Sequence, residues 1–461
     1  MQAPFDIAAD LDTPVSAYLK LAGLSPRFLL ESVEGGERLA RYSFLGFGDA
    51  LEVRMDAESF SINGESRPRP ADQDAYLALL REALAAVPHP GPDVEGLPFD
   101  GGLVGVSGYD VVRLFERLPR DTERQASIPD AAFVAPASLL VFDHLTRRVA
   151  LLHAGSEAER RQLREEVIRR LRGPVPAANG PVEISPAEAS FSEREFSERV
   201  EACKDYIAAG DIYQIVLSVL FRGRSNVAPF EVYRALRLLN PSPYMFFFEF
   251  GQLKVVGSSP EALVRLHGRT ASLRPIAGTL PRGATRAEDV ANEEALLADP
   301  KEAAEHVMLV DLARNDLGRV ATAGSVYVEP YRAIERYSHV MHIVSGVQGE
   351  LAPDRDQFDL FAASFPAGTL VGAPKVRAME IIEEMEAVGR GLYAGTAGYF
   401  GSRGDMDQAI TIRTLVFDGD EYSFQAGAGI VADSVPANEY REVLAKSAIL
   451  RRALEIAGEG L

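Results

Sequence analysis

The sequence predicts an α+β fold: a large, mostly antiparallel β-sandwich flanked by helices, with an N-terminal region packed on a C-terminal one. Three observations carry that expectation. Short apolar runs bounded by turn residues recur in both halves, the pattern of strands. Helical stretches with clear start signals stand between them, and one closes the chain. The 461 residues, 47% of them hydrophobic, can build a sizeable core.

Residues 14–155 form the first region. Phe28–Ser32 and Arg41–Gly46 read as strands around a Gly35-Gly36 turn, and residues 72–86 as a helix. Gly101–Gly108 is glycine-rich, but it lacks both the dinucleotide spacing and a Lys-Ser/Thr ending, so it reads as a close-packed strand and turn. Residues 137–152 read as two strands about Asp143-His144, and residues 157–172 as a charged helix. Residues 173–190, rich in Pro, Ala and Gly, are the expected linker.

The second region spans 193–456. Ser192 with Glu195 makes a capping-box start to a helix that Gly210 ends. Ile212–Phe221 is a strand apolar on both faces with one amide, Gln214. A buried amide needs partners, so Gln214 is tied to backbone or faces a ligand. Tyr244–Phe250 and Lys254–Gly257 form a hairpin leading to Glu261, which follows a Pro turn amid apolar residues. Desolvated there, its carboxyl would titrate high and could act as a general acid; the alternative is a surface helix-start carboxylate. Pro275–Thr279 reads as a glycine-bearing loop, Asp311–Arg319 as a polar turn, and Glu335–Val344 as one strand with His339 and His342 on opposite faces. Phe365–Lys375 leads into a helix, where free N–H groups and Lys375 suggest an anion site. Arg413 interrupts the apolar run of the expected strand 409–417, so it answers a carboxylate or phosphate, or forms a structural ion pair.

Two acidic faces stand out. Glu439 and Glu442 lie three apart with Lys446 four beyond, and Glu302 and Glu305 repeat the spacing. On helices each set shares one face. If the faces meet across a pocket, four carboxylates require a cation, and oxygen-only ligands favour Mg²⁺ over zinc. Otherwise each is a solvated face.

The bulk numbers limit partners. A net charge of −19 argues against a nucleic-acid groove and an anionic membrane surface. No run of about 18 apolar residues suggests a membrane span, and the acidic N-terminus lacks a secretory signal. One cysteine, Cys203, excludes a disulfide framework. The expectation is a cytoplasmic protein.

Several of these stretches together resemble the chorismate-utilising enzymes, and within them the anthranilate synthase component I group. The carriers are Ser259-Pro-Glu261, Pro275-Ile-Ala-Gly-Thr279, Glu305 to Asp316, Arg336 to His342, Gly368 to Lys375, and Gly427 to Asp433. The resemblance implies a Mg²⁺-dependent lyase that makes anthranilate and pyruvate from chorismate and ammonia. It implies that Glu305 and Glu442 bind the metal, with Glu302 and Glu439 beside them or acting through water. It places Gly278, Thr279, Tyr393, Arg413, Gly427, Ala428, Gly429 and Lys446 around the substrate. Glu261 would protonate the departing hydroxyl, and His342 would assist loss of pyruvate. Gln214 and Thr369 join them as catalytic positions.

Relatives that add water to the ring resemble one another in carrying lysine where Gln214 stands. Aminodeoxychorismate synthases typically carry lysine where Ala277 stands. Both positions favour anthranilate, with aminodeoxychorismate synthase the alternative and a non-catalytic tryptophan-sensing subunit the alternative of another class. No Gly-x-Cys-x-Gly elbow surrounds Cys203, so ammonia would come from solution or from a glutamine amidotransferase subunit, the family's usual partner, in a heterotetramer. Ser32, Pro243, Tyr244 and Met245 resemble a tryptophan feedback site, which would make residues 14–155 regulatory.

Overall fold

The computed structural model describes residues 5–32, 41–125, 127–176, 181–336 and 340–461. The N-terminal region supplies β1 (Pro26–Glu31), β2 (Tyr42–Met55), β3 (Gly102–Ser107) and β4 (Ala131–Asp143). The C-terminal region supplies β5 (Gln214–Arg224), β6 (Tyr244–Phe250), β7 (Leu253–Ser259), β8 (Ala262–His267), β9 (Ile276–Pro281) and β10 (Val340–Val344). It continues with β11 (Thr396–Gly401), β12 (Met406–Ile410), β13 (Thr414–Asp418) and β14 (Glu421–Ile430).

Every pairing among these strands is antiparallel. One C-terminal series runs β6–β7–β13–β14–β5, and a second runs β11–β12–β8. The N-terminal strands β1–β2–β4–β3 join them, β1 pairing with β6 and β3 with β11. The N-terminal region is therefore hydrogen-bonded into the same sheet, a closer union than packing alone. Gly102 and Gly105 show why β3 is glycine-rich. A Cβ would lie 2.1 Å from the Phe400 carbonyl oxygen at Gly102, and 2.0 Å from that of Ala132 at Gly105. The expected close-packed strand is present, and no side chain fits there.

Helices cover the sheet: α1 (Glu193–Ala209), α2 (Pro300–Gly318), the single turn α3 (Gly368–Val371), α4 (Lys375–Met385) and α5 (Pro436–Glu459). Local chemistry sets their ends. Ser192 and Glu195 form the reciprocal cap of α1, and Gly210 at φ 84° closes it in the left-handed region. Asp299 accepts from the Lys301 and Glu302 N–H groups, with Pro300 as first residue of α2.

Four expectations are corrected. Residues 311–318 continue α2 instead of turning, because Asp316 is buried against Lys375 and no breaker precedes Gly318. Pro275–Thr279 is not a loop, since most of it lies in β9, which pairs with β10. Glu335–Val344 is two strands, with residues 333–336 pairing antiparallel to β10. The run 409–417 breaks at residues 411–413, where Arg413 takes φ 49°. Within the expected linker, Ala189 pairs with Phe221, and Ile184 bridges Ser225. Gly35, Gly36 and His339 lie outside the described residues.

Candidate active site

The site is built at a double corner. β7 turns into β8 through Pro260 and Glu261, and β12 turns into β13 through residues 411–413. The corners are laced together. The Ile410 N–H donates to the Glu261 carbonyl at 3.0 Å, and the Ser258 N–H donates to the Arg413 carbonyl at 3.1 Å. Because the two connections lie side by side, a carboxylate and a guanidinium from distant parts of the chain face one cleft. The cleft has a volume of about 600 Å³.

Its walls come from seven places. Glu261 and Arg413 stand at the corners, Gln214 on β5, and Gly427 and Gly429 on β14. α2 brings Glu302 and Glu305, α5 brings Glu439, Glu442 and Lys446, α3 brings Thr369, and Tyr393 is also among the lining residues. Close approach explains the two glycines. A Cβ on Gly427 would lie 2.7 Å from the Tyr393 hydroxyl, and one on Gly429 2.9 Å from the Gln214 amide nitrogen. Gln214 lines the cleft, with its amide nitrogen against the Gly429 backbone. Ala428 sits between the two glycines with its methyl in the main core, as strand alternation demands, so it offers the cleft no side chain.

Glu261 is the most perturbed acid of the cleft. Burial raises its carboxyl from 4.5 to about 7, against the opposing effects of a Thr369 hydrogen bond and the charges of Arg413 and Lys446. The Thr369 hydroxyl donates to Oε1 at 3.1 Å. Lys446 donates to the Gly427 carbonyl at 3.0 Å and pairs with Glu442 at 2.7 Å. Arg413 donates to the Asn240 side-chain carbonyl at 3.4 Å.

The two acidic faces do converge. Burial raises the Glu305 carboxyl, and the charges of Glu302 on its own helix and Glu442 on α5 raise it further. Burial also raises Glu439, with Glu442 adding to it. This donor set, all carboxylate oxygen, matches a hard divalent cation in kind, and a cation would relieve the mutual repulsion. Among the described residues no three acidic or imidazole side chains stand close enough to ligate one ion as they are.

Gly278, Thr279 and His342 stand beside the cleft on the β9–β10 pair. Gly278 has φ 67°, and a Cβ there would lie 2.9 Å from Glu302 Oε2. His342 Nδ1 lies 3.0 Å from the Gly278 carbonyl and 3.1 Å from the Thr279 hydroxyl. The carbonyl requires a hydrogen on Nδ1, which makes Nε2 the acceptor. Burial lowers the His342 pKa, keeping the ring neutral. The expected anion site at Lys375 is corrected, because its ammonium is committed to Asp316 at 2.7 Å. Cys203 is fully buried and its thiol is pushed up to about 12, so it is no nucleophile.

A second cavity, of about 250 Å³, opens where β1 meets β6, lined by Ser32, Pro243, Tyr244 and Met245 among others. The Tyr244 hydroxyl donates to Asp407 at 2.9 Å and accepts from Arg265 at 2.7 Å. Buried Glu31 is held by Arg237 and by the Tyr233 hydroxyl. Sequence reasoning missed Asn240, which reads as turn chemistry in Asn-Pro-Ser-Pro.

Comparison with known proteins places this geometry. The chorismate binding enzyme family matches residues 25–452. The chain belongs to that family. It is 48% identical over 460 residues to anthranilate synthase component 1 of Thermus thermophilus, covering 98% of this chain and 97% of the relative. It is 45% identical over 474 residues to the Pseudomonas aeruginosa protein of that name, covering 99% and 96%. The crystal structure of anthranilate synthase component I from Streptococcus pneumoniae TIGR4 superposes with a TM-score of 0.80 at 35% identity, covering 98% of this chain and all of that one. The menaquinone-specific isochorismate synthase of Escherichia coli shares the fold, with a TM-score of 0.69 at 20% identity over 95% and 91% of the two chains. Within the chorismate-binding family this chain therefore groups with component 1 of anthranilate synthase, and its α+β sandwich is that of the family.

Proposed function

We propose that this chain converts chorismate and ammonia to anthranilate and pyruvate as a magnesium-dependent lyase. The observation that carries the reading is Glu261, whose carboxyl burial holds at about 7 in a cleft shared with Arg413, Lys446 and the Gln214 amide. Hydroxide is a poor leaving group, so displacing a ring hydroxyl needs a proton donor in place. Thr369 fixes Glu261 Oε1, which leaves Oε2 to carry that proton. Arg413 and Lys446 supply positive charge for a substrate with two carboxylates. An amide cannot take a proton from water, so Gln214 favours an attacker that is nucleophilic unaided, and ammonia is one. Neutral His342, with Nε2 as acceptor, can receive a proton as pyruvate leaves. Magnesium, when bound, neutralises a substrate carboxylate; Glu305 and Glu442 would hold it, with Glu302 and Glu439 beside them or acting through water.

The relatives' description as a component implies a second chain. A glutamine amidotransferase subunit in a cytoplasmic heterotetramer would supply ammonia, and tryptophan would bind the second cavity at Ser32, Pro243, Tyr244 and Met245 as feedback inhibitor. The test is a product assay with chorismate, Mg²⁺ and ammonium. Anthranilate fluorescence with equimolar pyruvate is expected, lost on chelation with EDTA and restored by Mg²⁺. Glutamine should replace ammonium only when the partner is present. Aminodeoxychorismate without pyruvate would overturn the reading.

A further inference from the structure

Glu261 and Thr369 line the cleft, and the same two residues line a smaller cavity of about 50 Å³ behind it. They are the only lining residues the two spaces share among the described residues, so the Glu261 carboxyl is part of the partition between them. Asp316 of α2, Ser364, and Gly368 of α3 stand on the walls of this back cavity. Lys375, bonded to Asp316 at 2.7 Å, packs beside it: its Cε would lie 3.5 Å from a Cβ on Gly368. A water needs about 10–15 Å³ and several polar partners. The back cavity has that room, and Glu261, Asp316, Ser364 and Thr369 offer the partners. Arg274 also lines it with a side chain 35% exposed, so one wall is within reach of solvent.

On the reading of Glu261 given above, each turnover strips its carboxyl of a proton, which must be replaced before the next. The two sides of the partition differ in charge. The cleft side carries Arg413 and Lys446, and both charges oppose protonation of Glu261. Around the back cavity the cations are answered: Lys375 by Asp316, and Arg274 by Glu335. Asp316 is buried, and burial raises its carboxyl against the charges of Lys375 and Arg319. A carboxyl in that setting takes up a proton and passes it on more readily than an exposed one.

We propose that Glu261 is reprotonated from behind: a water in the back cavity carries a proton from Asp316 to the spent carboxylate. In one return an O–H bond forms on Glu261 as one breaks on the water. The water takes a proton from Asp316, and Asp316 recovers its own from solvent. Only protons move, and solvent supplies them. Asp316 acts through Glu261 and touches no substrate, so it is a positioning residue for the proton and not a catalytic one. The proposal rests on the reading of Glu261 as the acid.

The test follows anthranilate formation by rapid quench, with the full chain, chorismate, Mg²⁺ and ammonium, so that the first turnover is separated from later ones. At about pH 6.5 most of Glu261 starts protonated. Asp316→Asn keeps an oxygen for Lys375 but cannot pass a proton. Its first turnover should run at the parent rate, and later ones should be slower by about fivefold, with kcat/KM for chorismate within about twofold of the parent. Ala313→Val narrows the back cavity from α2 with an apolar group, and it should give the same split if Asp316→Asn folds poorly. A merely structural role slows first and later turnovers alike. That result, or parent-like steady turnover in both variants, would overturn the proposal. A parent chain that forms no anthranilate at all would instead count against the reading of the cleft.

Discussion

The two cavities lie in one sheet yet handle charge in opposite ways. In the second cavity the charged groups are answered on site: Glu31 by Arg237 and Tyr233, Asp407 by Arg265 and Tyr244, and Arg41 by Asp143. In the cleft, Glu261, Glu305 and Glu439 are all raised by burial, and two of them also by neighbouring like charge. Such strain is tolerated where a ligand, ion or reaction will relieve it. On the proposed function, the contrast would separate a place that reads the shape of a molecule from a place that does chemistry on one.

The sharpest way to break the contrast is Glu261→Gln. Loss of a general acid costs about 10²–10⁴ in rate, so kcat for anthranilate formation should fall by about 10³ with chorismate binding retained. The same change should stabilise the fold at alkaline pH. Between 4.5 and about 7 the folded chain holds a proton on Glu261 that the unfolded chain has released. Stability therefore falls as pH rises through that window and levels off above it. Removing the charge should add about 1–2 kcal/mol at pH 8 and nothing at pH 4, as thermal unfolding at the two pH values would show. A smaller effect is expected in the other cavity. Tyr244→Phe removes two satisfied hydrogen bonds, which should cost about 1 kcal/mol of stability. It should weaken tryptophan inhibition while kcat stays within about twofold of the parent. A large loss of turnover there would erase the distinction between the cavities.

Much of this was legible in the sequence where local chemistry decides. Ser192 and Gly210 set the ends of α1, and the glycines at 102 and 105 marked a close backbone approach. The spacing of Glu302 with Glu305, and of Glu439 with Glu442, placed each pair on one helix face. What was not legible depends on contacts between distant segments. Nothing local says that Asp316 meets Lys375, so a helix was read as a turn and a committed cation as an anion site. Arg413 was singled out as a polar outlier, but its left-handed backbone and the break it makes follow from the corner, which only the sheet defines.

The central claim is that burial keeps Glu261 protonated near neutral pH so that it can serve as the acid. The pH dependence of kcat/KM for chorismate, with free ammonia and Mg²⁺ held constant, tests it most directly. Activity should fall about tenfold per pH unit above about 7, and this limb should be absent from the residual activity of Glu261→Gln. A profile that stays flat from pH 6 to 9, or a limb that survives in Glu261→Gln, would contradict the account.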